Sequence, residues 1–385
     1  MLNRSIKLLK SNSLFLFGPR GTGKSFLLKQ QFEGLRTLWI DLLDPLTEDR
    51  YARRPDELRS EILHQKKTWD WVVLDEVQKL PRLLDVVHQL IESHRIRFAL
   101  TGSSARKLKR GAANLLAGRA FVYHLFPLTY REMEEKFDLN AALRWGGLPR
   151  VFLMEEEEEK KLFLKTYATT YLKEEIWAEQ IVRRLDPFRK FLEIAAQANG
   201  EIVNYSNIAK DVGVDNKTVQ SYFQILEDTL VGFFLEPYHR SIRKQQRQSP
   251  KFFFFDTGVK RALEGTLNQE LVPNTYGYGK TFEHYLLLEM KRLNDYGQKD
   301  FRFSYLLTKD GAEIDLILER PGLPAALVEI KSTDHTDERD TQALEHFLPD
   351  FKKAEAFCLS RDPIPKKIGK VSMLPWGEGL RELGF

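Results

Sequence analysis

The stretch L-F-L-F-G-P-R-G-T-G-K-S, Leu14 to Ser25, decides how the rest of the chain is read. Its four leading apolar residues, Leu14 to Phe17, predict a buried strand of a parallel sheet, and the apolar-rich run from Phe26 predicts a helix. Between them Gly18 to Ser25 fits G-x-x-x-x-G-K-[ST], in the strand–loop–helix context that gives this pattern a mechanism. Gly18, Gly21 and Gly23 let the backbone wrap so that successive N–H groups point into one concavity, and the helix N-terminus adds positive potential. Gly18, Pro19, Arg20, Gly21, Thr22, Gly23, Lys24 and Ser25 are therefore the expected phosphate loop. Lys24 is expected to reach the β- and γ-phosphates of ATP, with the Ser25 hydroxyl as a ligand of Mg²⁺.

Downstream, Leu35 to Asp41 reads as a second strand and Asp56 to Gln65 as a helix. Trp71 to Leu74 is an apolar strand ending in Asp75 and Glu76, an acidic pair placed as the partner of such a loop. Asp75 is expected to hold the Mg²⁺ through water, and Glu76 to polarise the attacking water. The strand Ile96 to Leu100 runs into T-G-S-S-A-R-K-L-K-R, where Thr101 and Ser103 are candidates for sensing the γ-phosphate or for capping a helix. Arg119, in G-R-A-F, is a candidate arginine finger or phosphate sensor, acting on its own nucleotide or a neighbour's; an ordinary surface arginine is the alternative.

The chain has 385 residues, enough for two to four domains, and its 42% hydrophobic and 30% charged content is that of a globular protein. A net charge of +4 permits a nucleic-acid partner without demanding one. The single cysteine, Cys358, excludes a disulfide framework and a cysteine-based zinc site. The start M-L-N-R-S-I-K-L-L-K has no long apolar core or cleavage signal, and no apolar run reaches membrane-spanning length; a cytoplasmic protein without membrane contact is expected.

G-P-R-G-T-G-K-S, V-V-L-D-E-V-Q-K, L-T-G-S-S-A-R-K-L, L-A-G-R and F-P-L-T-Y-R-E occur in that order. Together they resemble the ATPase core of a prokaryotic AAA-type ATP-binding family whose C-terminal half is classed as a domain of unknown function. The resemblance continues through G-G-L-P-R, F-D-T-G and V-E-I-K-S, so it covers nearly the whole chain. It implies an α/β core with a parallel sheet and helices on both faces.

Phe126 to Phe137 and Arg144 to Phe152 read as a helical lid after the core, and the charged run Glu155 to Lys161 as a solvated helix face or boundary. From Pro187 the pattern changes. Phe188 to Ala198 is a helix, and Y-S-N-I-A-K-D-V-G-V-D-N-K-T-V-Q-S-Y-F-Q-I-L-E has helix-turn-helix spacing about Gly213. Strand-like Leu230 to Pro237 and Lys251 to Phe255 follow, as in a winged helix. The loop between them carries Arg240, Arg243, Lys244 and Arg247; with Lys217 on the second helix they are candidate contacts to a nucleic-acid backbone, DNA being the expected form.

The last part offers Glu283 on a helix, Asp315 on a strand, and Glu329 with Lys331 on the next strand, where residues two apart share a face. A helix Glu, a strand Asp and E-x-K are the parts of a PD-(D/E)XK nuclease site, and the family's C-terminal domain is similar to that fold. Glu283, Asp315 and Glu329 are the expected ligands of Mg²⁺ or Mn²⁺, with Lys331 orienting water or offsetting phosphate charge. An inactive scaffold that only binds nucleic acid is the alternative. The expected domains are 1–130 (P-loop ATPase core), 131–185 (helical lid and linker), 186–262 (winged helix) and 263–385 (PD-(D/E)XK-like α/β domain). The expected activity is ATP hydrolysis coupled to nucleic-acid handling, with homo-oligomer formation left open. A nucleotide-switched regulator that binds DNA or a protein is the rival.

Overall fold

Five short apolar strands and the helices that cover them make the first layer system. The computed structural model describes residues 2–64, 69–104, 116, 118–171, 185–239, 249–308 and 311–385. Strands β1 (Ser13–Phe17), β2 (Thr37–Asp41), β3 (Trp71–Asp75), β4 (Phe98–Gly102) and β5 (Ala120–His124) form an all-parallel sheet in the order β2-β3-β4-β1-β5. β1, β3 and β4 are buried at every residue, as central parallel strands must be. Around them lie α1 (Lys24–Gln31), α2 (Pro45–Arg53), α3 (Asp56–His64) and α4 (Leu83–His94). The pleat sends Phe15 and Phe17 into one apolar cluster with Leu74 and Leu84, and Leu14 and Leu16 into another with Leu28 and Val73. Both faces are thus covered. Because every strand runs the same way, the loop after Phe17, the Asp75–Glu76 pair and Thr101–Ser103 arrive at one edge.

Helical segments follow: α5 (Tyr130–Met133), α6 (Leu139–Trp145), α7 (Pro149–Leu153) and α8 (Glu157–Thr166). Then come α9 (Leu185–Gln197), α10 (Tyr205–Val212) and α11 (Asn216–Asp228). α10 stops at Gly213 with φ +80°, and α11 starts where Asp215 accepts the Thr218 N–H. Phe188, Phe191, Tyr222 and Phe223 join these helices in one core with Phe252 of the hairpin β6 (Gly232–Pro237) and β7 (Lys251–Phe254).

The hairpin has a second allegiance. After α12 (Thr257–Glu264) and the long α13 (Tyr276–Tyr296), the chain forms β8 (Arg302–Leu307), β9 (Glu313–Glu319), β10 (Ala325–Lys331), α14 (Gln342–Phe347), β11 (Ala354–Ser360), β12 (Lys366–Ile368), β13 (Val371–Pro375) and α15 (Trp376–Glu382). Their sheet has eight strands in the order β12-β13-β11-β10-β9-β8-β6-β7, so the hairpin continues it at one edge through Glu236↔Ser304 and Pro237↔Tyr305. One sheet crosses the boundary expected near residue 262.

Two of the quoted motifs meet as packing partners. Asp256 of F-D-T-G accepts the Gly147 N–H of G-G-L-P-R at 2.7 Å and the Val259 N–H that opens α12 at 3.0 Å. Gly146 has φ +77°, and a Cβ there would lie 2.0 Å from Asp256 Oδ1, so only glycine fits. These motifs join α6 to α12. Among the described residues no helix is long and apolar enough to cross a membrane.

Candidate nucleotide site and carboxylate cluster

The loop after β1 takes its shape from glycine. Gly21 and Gly23 have φ of +81° and +90°, and a Cβ on Gly18 would meet the Leu125 carbonyl oxygen at 2.2 Å. Lys24, 6% exposed, folds over the loop: its Nζ donates to the carbonyls of Gly18 at 2.9 Å and Pro19 at 3.4 Å. It also lies 3.9 Å from Glu76 Oε1, which places the cation between the loop and the acidic pair.

At the strand ends the hydroxyls and carboxylates interlock. Ser25 Oγ donates to Asp75 Oδ2 at 2.6 Å, and Thr101 donates to Asp75 Oδ1 while accepting the Glu76 N–H at 3.0 Å. Thr101 is thus committed to orienting the acidic pair, inside β4 and not at a helix cap. Ser103 stands farther along the edge, and its Oγ accepts from Gln78 Nε2 at 3.1 Å. The same amide nitrogen donates to Glu76 Oε2 at 2.5 Å, so Gln78 ties the candidate base to the candidate sensor. Glu76 itself has left-handed backbone, φ +60°, uncommon for a residue with a side chain and concentrated at functional sites.

These residues fit Mg²⁺·ATP: a glycine-shaped cradle, a buried ammonium, and the hard oxygens of Ser25 and Asp75. A cleft of about 770 Å³ opens beside Gly21, Thr22 and Gly23, walled by Arg4, Phe26, Met133, Arg150 and Phe152, and its size suits a nucleotide.

Arg119 does not belong to this edge. It precedes β5, whose Ala120 pairs with Ser13 at the start of β1, whereas the loop leaves from Phe17. Four strand steps, about 13 Å, separate the two levels, farther than its side chain reaches. Its guanidinium pairs with Glu92 of α4. From this position Arg119 does not reach its own phosphate loop; an ordinary surface arginine and a role toward a neighbouring copy are both compatible with it.

Two contacts to the loop were not legible in the sequence. Arg4 Nη1 donates to the Thr22 carbonyl at 2.8 Å, while Nη2 reaches the Phe126 carbonyl and the Tyr296 hydroxyl at 2.6 and 3.0 Å. Arg4 Nε pairs with buried Glu132 at 3.1 Å. From α8's end, Tyr167 donates its hydroxyl to the Arg20 carbonyl at 2.7 Å. Gln78 did stand in the quoted V-V-L-D-E-V-Q-K, two residues past Glu76, which was the available signal.

In the C-terminal sheet, Asp315 of β9 and Glu329 of β10 come together: the ladder ends at Val328↔Leu316, and Asp315 Oδ2 accepts the Ile330 N–H at 2.7 Å. Burial, then repulsion from Asp315, pushes Glu283 up to about 7 and Glu329 up to about 8. Asp315 is itself raised by burial. Lys331 donates to Glu329 Oε1 at 2.6 Å; burial alone would lower it, but Glu329 and Asp315 outweigh that and hold it above its ordinary value. Glu283 Oε1 and Glu329 Oε2 are buried without a hydrogen-bond donor. The expected ligands therefore converge, yet among the described residues no group of three His, Cys, Asp or Glu side chains is placed to hold a metal ion. As arranged, the donors do not fit one.

Of the candidate nucleic-acid contacts, Lys217 is exposed on α11 beside exposed Asn216 and Gln220. Gln224, on the same face, is tied to Glu227 and Asp228 at 3.3 and 3.2 Å. Arg240, Arg243, Lys244 and Arg247 lie outside the described residues.

Residues 10–134 match the model of an AAA domain family, and residues 136–270 and 278–377 each match a family described only as a domain of unknown function. An uncharacterized protein of Mycobacterium tuberculosis is 27% identical over 322 residues, 83% of this chain and 70% of that one. One of Methanocaldococcus jannaschii is 26% identical over 423 residues, 95% and 84% of the two chains. Among solved structures, the Orc1 protein of Aeropyrum pernix in complex with DNA is 12% identical, covering 67% of this chain and 87% of its own, with a TM-score of 0.31, too low to support an argument. The AAA match and the loop geometry together make the N-terminal unit an AAA-type P-loop domain of the ATPase class.

Proposed function

We propose that the chain hydrolyses ATP at the edge formed by Gly18–Ser25, Asp75 and Glu76, and that turnover drives handling of nucleic acid by the middle part of the chain. The observation that supports the first half is the interlocked set Ser25–Asp75–Thr101 with Lys24 beside Glu76. Bound Mg²⁺ would neutralise charge on the phosphates, held by Ser25 directly and by Asp75 through water. Lys24 supplies a fixed positive charge, the loop N–H groups hold phosphate oxygens, and Glu76, steered by Gln78, orients the attacking water. Arg119 would serve a neighbour's site in an assembly of copies. The nucleic-acid half rests on the helix-turn-helix spacing, the exposed polar face of α11 and the basic segment between β6 and β7.

A nucleotide-switched regulator is the second reading, favoured by the buried Arg4 link between the phosphate loop and Tyr296 at the end of α13. Turnover assays separate the two. Lys24→Ala should abolish ATP binding, and Glu76→Gln should keep binding while slowing hydrolysis by about 100-fold or more, on the scale of losing a general base. DNA or RNA should accelerate the wild-type rate. Unchanged ATPase activity in both variants would refute the site; a slow rate that nucleic acid leaves unchanged would favour the regulator.

A further inference from the structure

Among the described residues the C-terminal carboxylates gather without forming a metal-binding group, and a lysine from elsewhere in the chain sits beside them. Lys251 opens β7, one of the two edge strands of the eight-stranded sheet, and is 3% exposed. Its ammonium donates to Glu313, lies 4.0 Å from Glu283 Oε1, and sits 5.2 Å from the centre of the Tyr305 ring. At 4.0 Å it gives Glu283 Coulomb attraction but no hydrogen bond, and Glu283 Oε1 is one of the two buried carboxylate oxygens without a donor. The other, Glu329 Oε2, belongs to the carboxylate opposite, whose remaining oxygen is held by Lys331.

Glu283, Glu313, Asp315 and Glu329 face Lys251, Lys280 and Lys331, with Lys280 3.5 Å from Glu283 and shared with Glu201 at 3.2 Å. Counted as fully ionised and leaving Glu201 aside, the four carboxylates outnumber the lysines by one with Lys251 in place and by two, the charge of one divalent ion, without it; the raised Glu283 and Glu329 reduce that excess near neutral pH. Two oxygens already lack donors, as ligands awaiting a cation would. β7 pairs with β6 on one side, and on the other Lys251 itself bridges Ile202 while the Phe252 and Pro250 carbonyls accept the Gly200 and Val203 N–H groups at 2.8 and 2.9 Å, so this lysine is held firmly in its place beside the carboxylates.

We propose that Lys251 is a built-in counter-cation that takes the place of a divalent metal among Glu283, Glu313 and Asp315. The proposal rests on the reading that these carboxylates can bind metal at all.

The test is Mn²⁺ binding without nucleotide, read by the melting temperature and by loss of the free-Mn²⁺ electron paramagnetic resonance signal. Wild type and Lys251→Arg should show no saturable binding that depends on Asp315. Lys251→Met should bind Mn²⁺ at least about tenfold more tightly than wild type and melt higher as Mn²⁺ rises, by mass action. Adding Asp315→Asn should remove both effects. Should Lys251→Met fold poorly, Lys251→Gln read by the resonance signal at low temperature carries the same expectation. Wild-type binding that Asp315→Asn abolishes would overturn the counter-cation while leaving the metal site standing. Absence of binding in every variant would overturn the metal reading, and the proposal with it.

Discussion

Replacing Arg4 by methionine should be among the most damaging single changes outside the catalytic edge. The Arg4 and Glu132 side chains are 6% and 0% exposed, and the pair is 3.1 Å apart. Removing the cation leaves a carboxylate in the interior, which typically costs about 3–5 kcal/mol. Two effects pull in opposite directions. Glu132 keeps the Ser5 N–H at 2.6 Å and the Thr129 N–H at 2.9 Å, which softens the loss. The carbonyls of Thr22 and Phe126 and the Tyr296 hydroxyl lose a donor or partner, each worth about 1 kcal/mol. The expected net cost is therefore about 3–5 kcal/mol, and ATP affinity should fall with it because the Thr22 carbonyl anchors the loop. Urea unfolding followed by circular dichroism measures the first, with the earliest transition fitted alone because a chain of several units need not unfold in one step. A fluorescent ATP analogue measures the second. Glu132→Gln in the Arg4→Met background should recover part of the stability, since the stranded charge is gone, whereas Arg4→Lys should not restore the four-partner geometry. A cost below about 1 kcal/mol, or a double variant no better than the single one, would refute the reasoning.

Other consequences follow from the same side chains. Gln78→Leu should lower ATP turnover by about tenfold, roughly 1.4 kcal/mol of barrier, with ATP affinity retained; an unchanged rate would mean that Glu76 needs no anchor. Burial pushes Glu289 up to about 7 although Arg292 lies 3.1 Å away and opposes the shift. The folded chain then holds this proton above the ordinary value of 4.5, so this group's contribution to stability is greatest below that value and declines as pH rises toward about 7. Glu289→Gln should flatten that part of the stability–pH curve, and a curve unchanged in slope would contradict the assignment. Cys358 is fully buried, and its thiol is pushed up to about 12 by burial, so a thiol reagent at pH 8 should label the native protein far more slowly than the urea-unfolded one; equal rates would show that β11 opens freely.

The phosphate loop, the Asp75–Glu76 pair and the E-x-K triplet were legible in the sequence because each is a local pattern. An apolar run of period two or a glycine at a turn constrains its own neighbours through backbone sterics and burial, and needs no distant partner to be recognised. The same holds for the α10–Gly213–α11 turn and the alternation that put Asp315, Glu329 and Lys331 on strands. What those residues do with one another was decided at long range. Thr101 could be told from Ser103 only once β3 and β4 lay side by side and Thr101 met Asp75. Arg119 could be removed from its own nucleotide site only when the β1–β5 register placed it at the far end of the sheet. The G-G-L-P-R and F-D-T-G motifs became packing partners when Asp256 closed on Gly147 across 109 residues of chain. Lys251 reads in sequence as the polar start of an aromatic strand, and it becomes the cation of the carboxylate cluster through a partner 62 residues away. Arg4 finds Tyr296 across 292 residues. Charges and edge strands carry no periodicity that names their partner: Coulomb attraction and ladder hydrogen bonds are satisfied by whatever the collapsed chain brings near, and only the tertiary structure selects it.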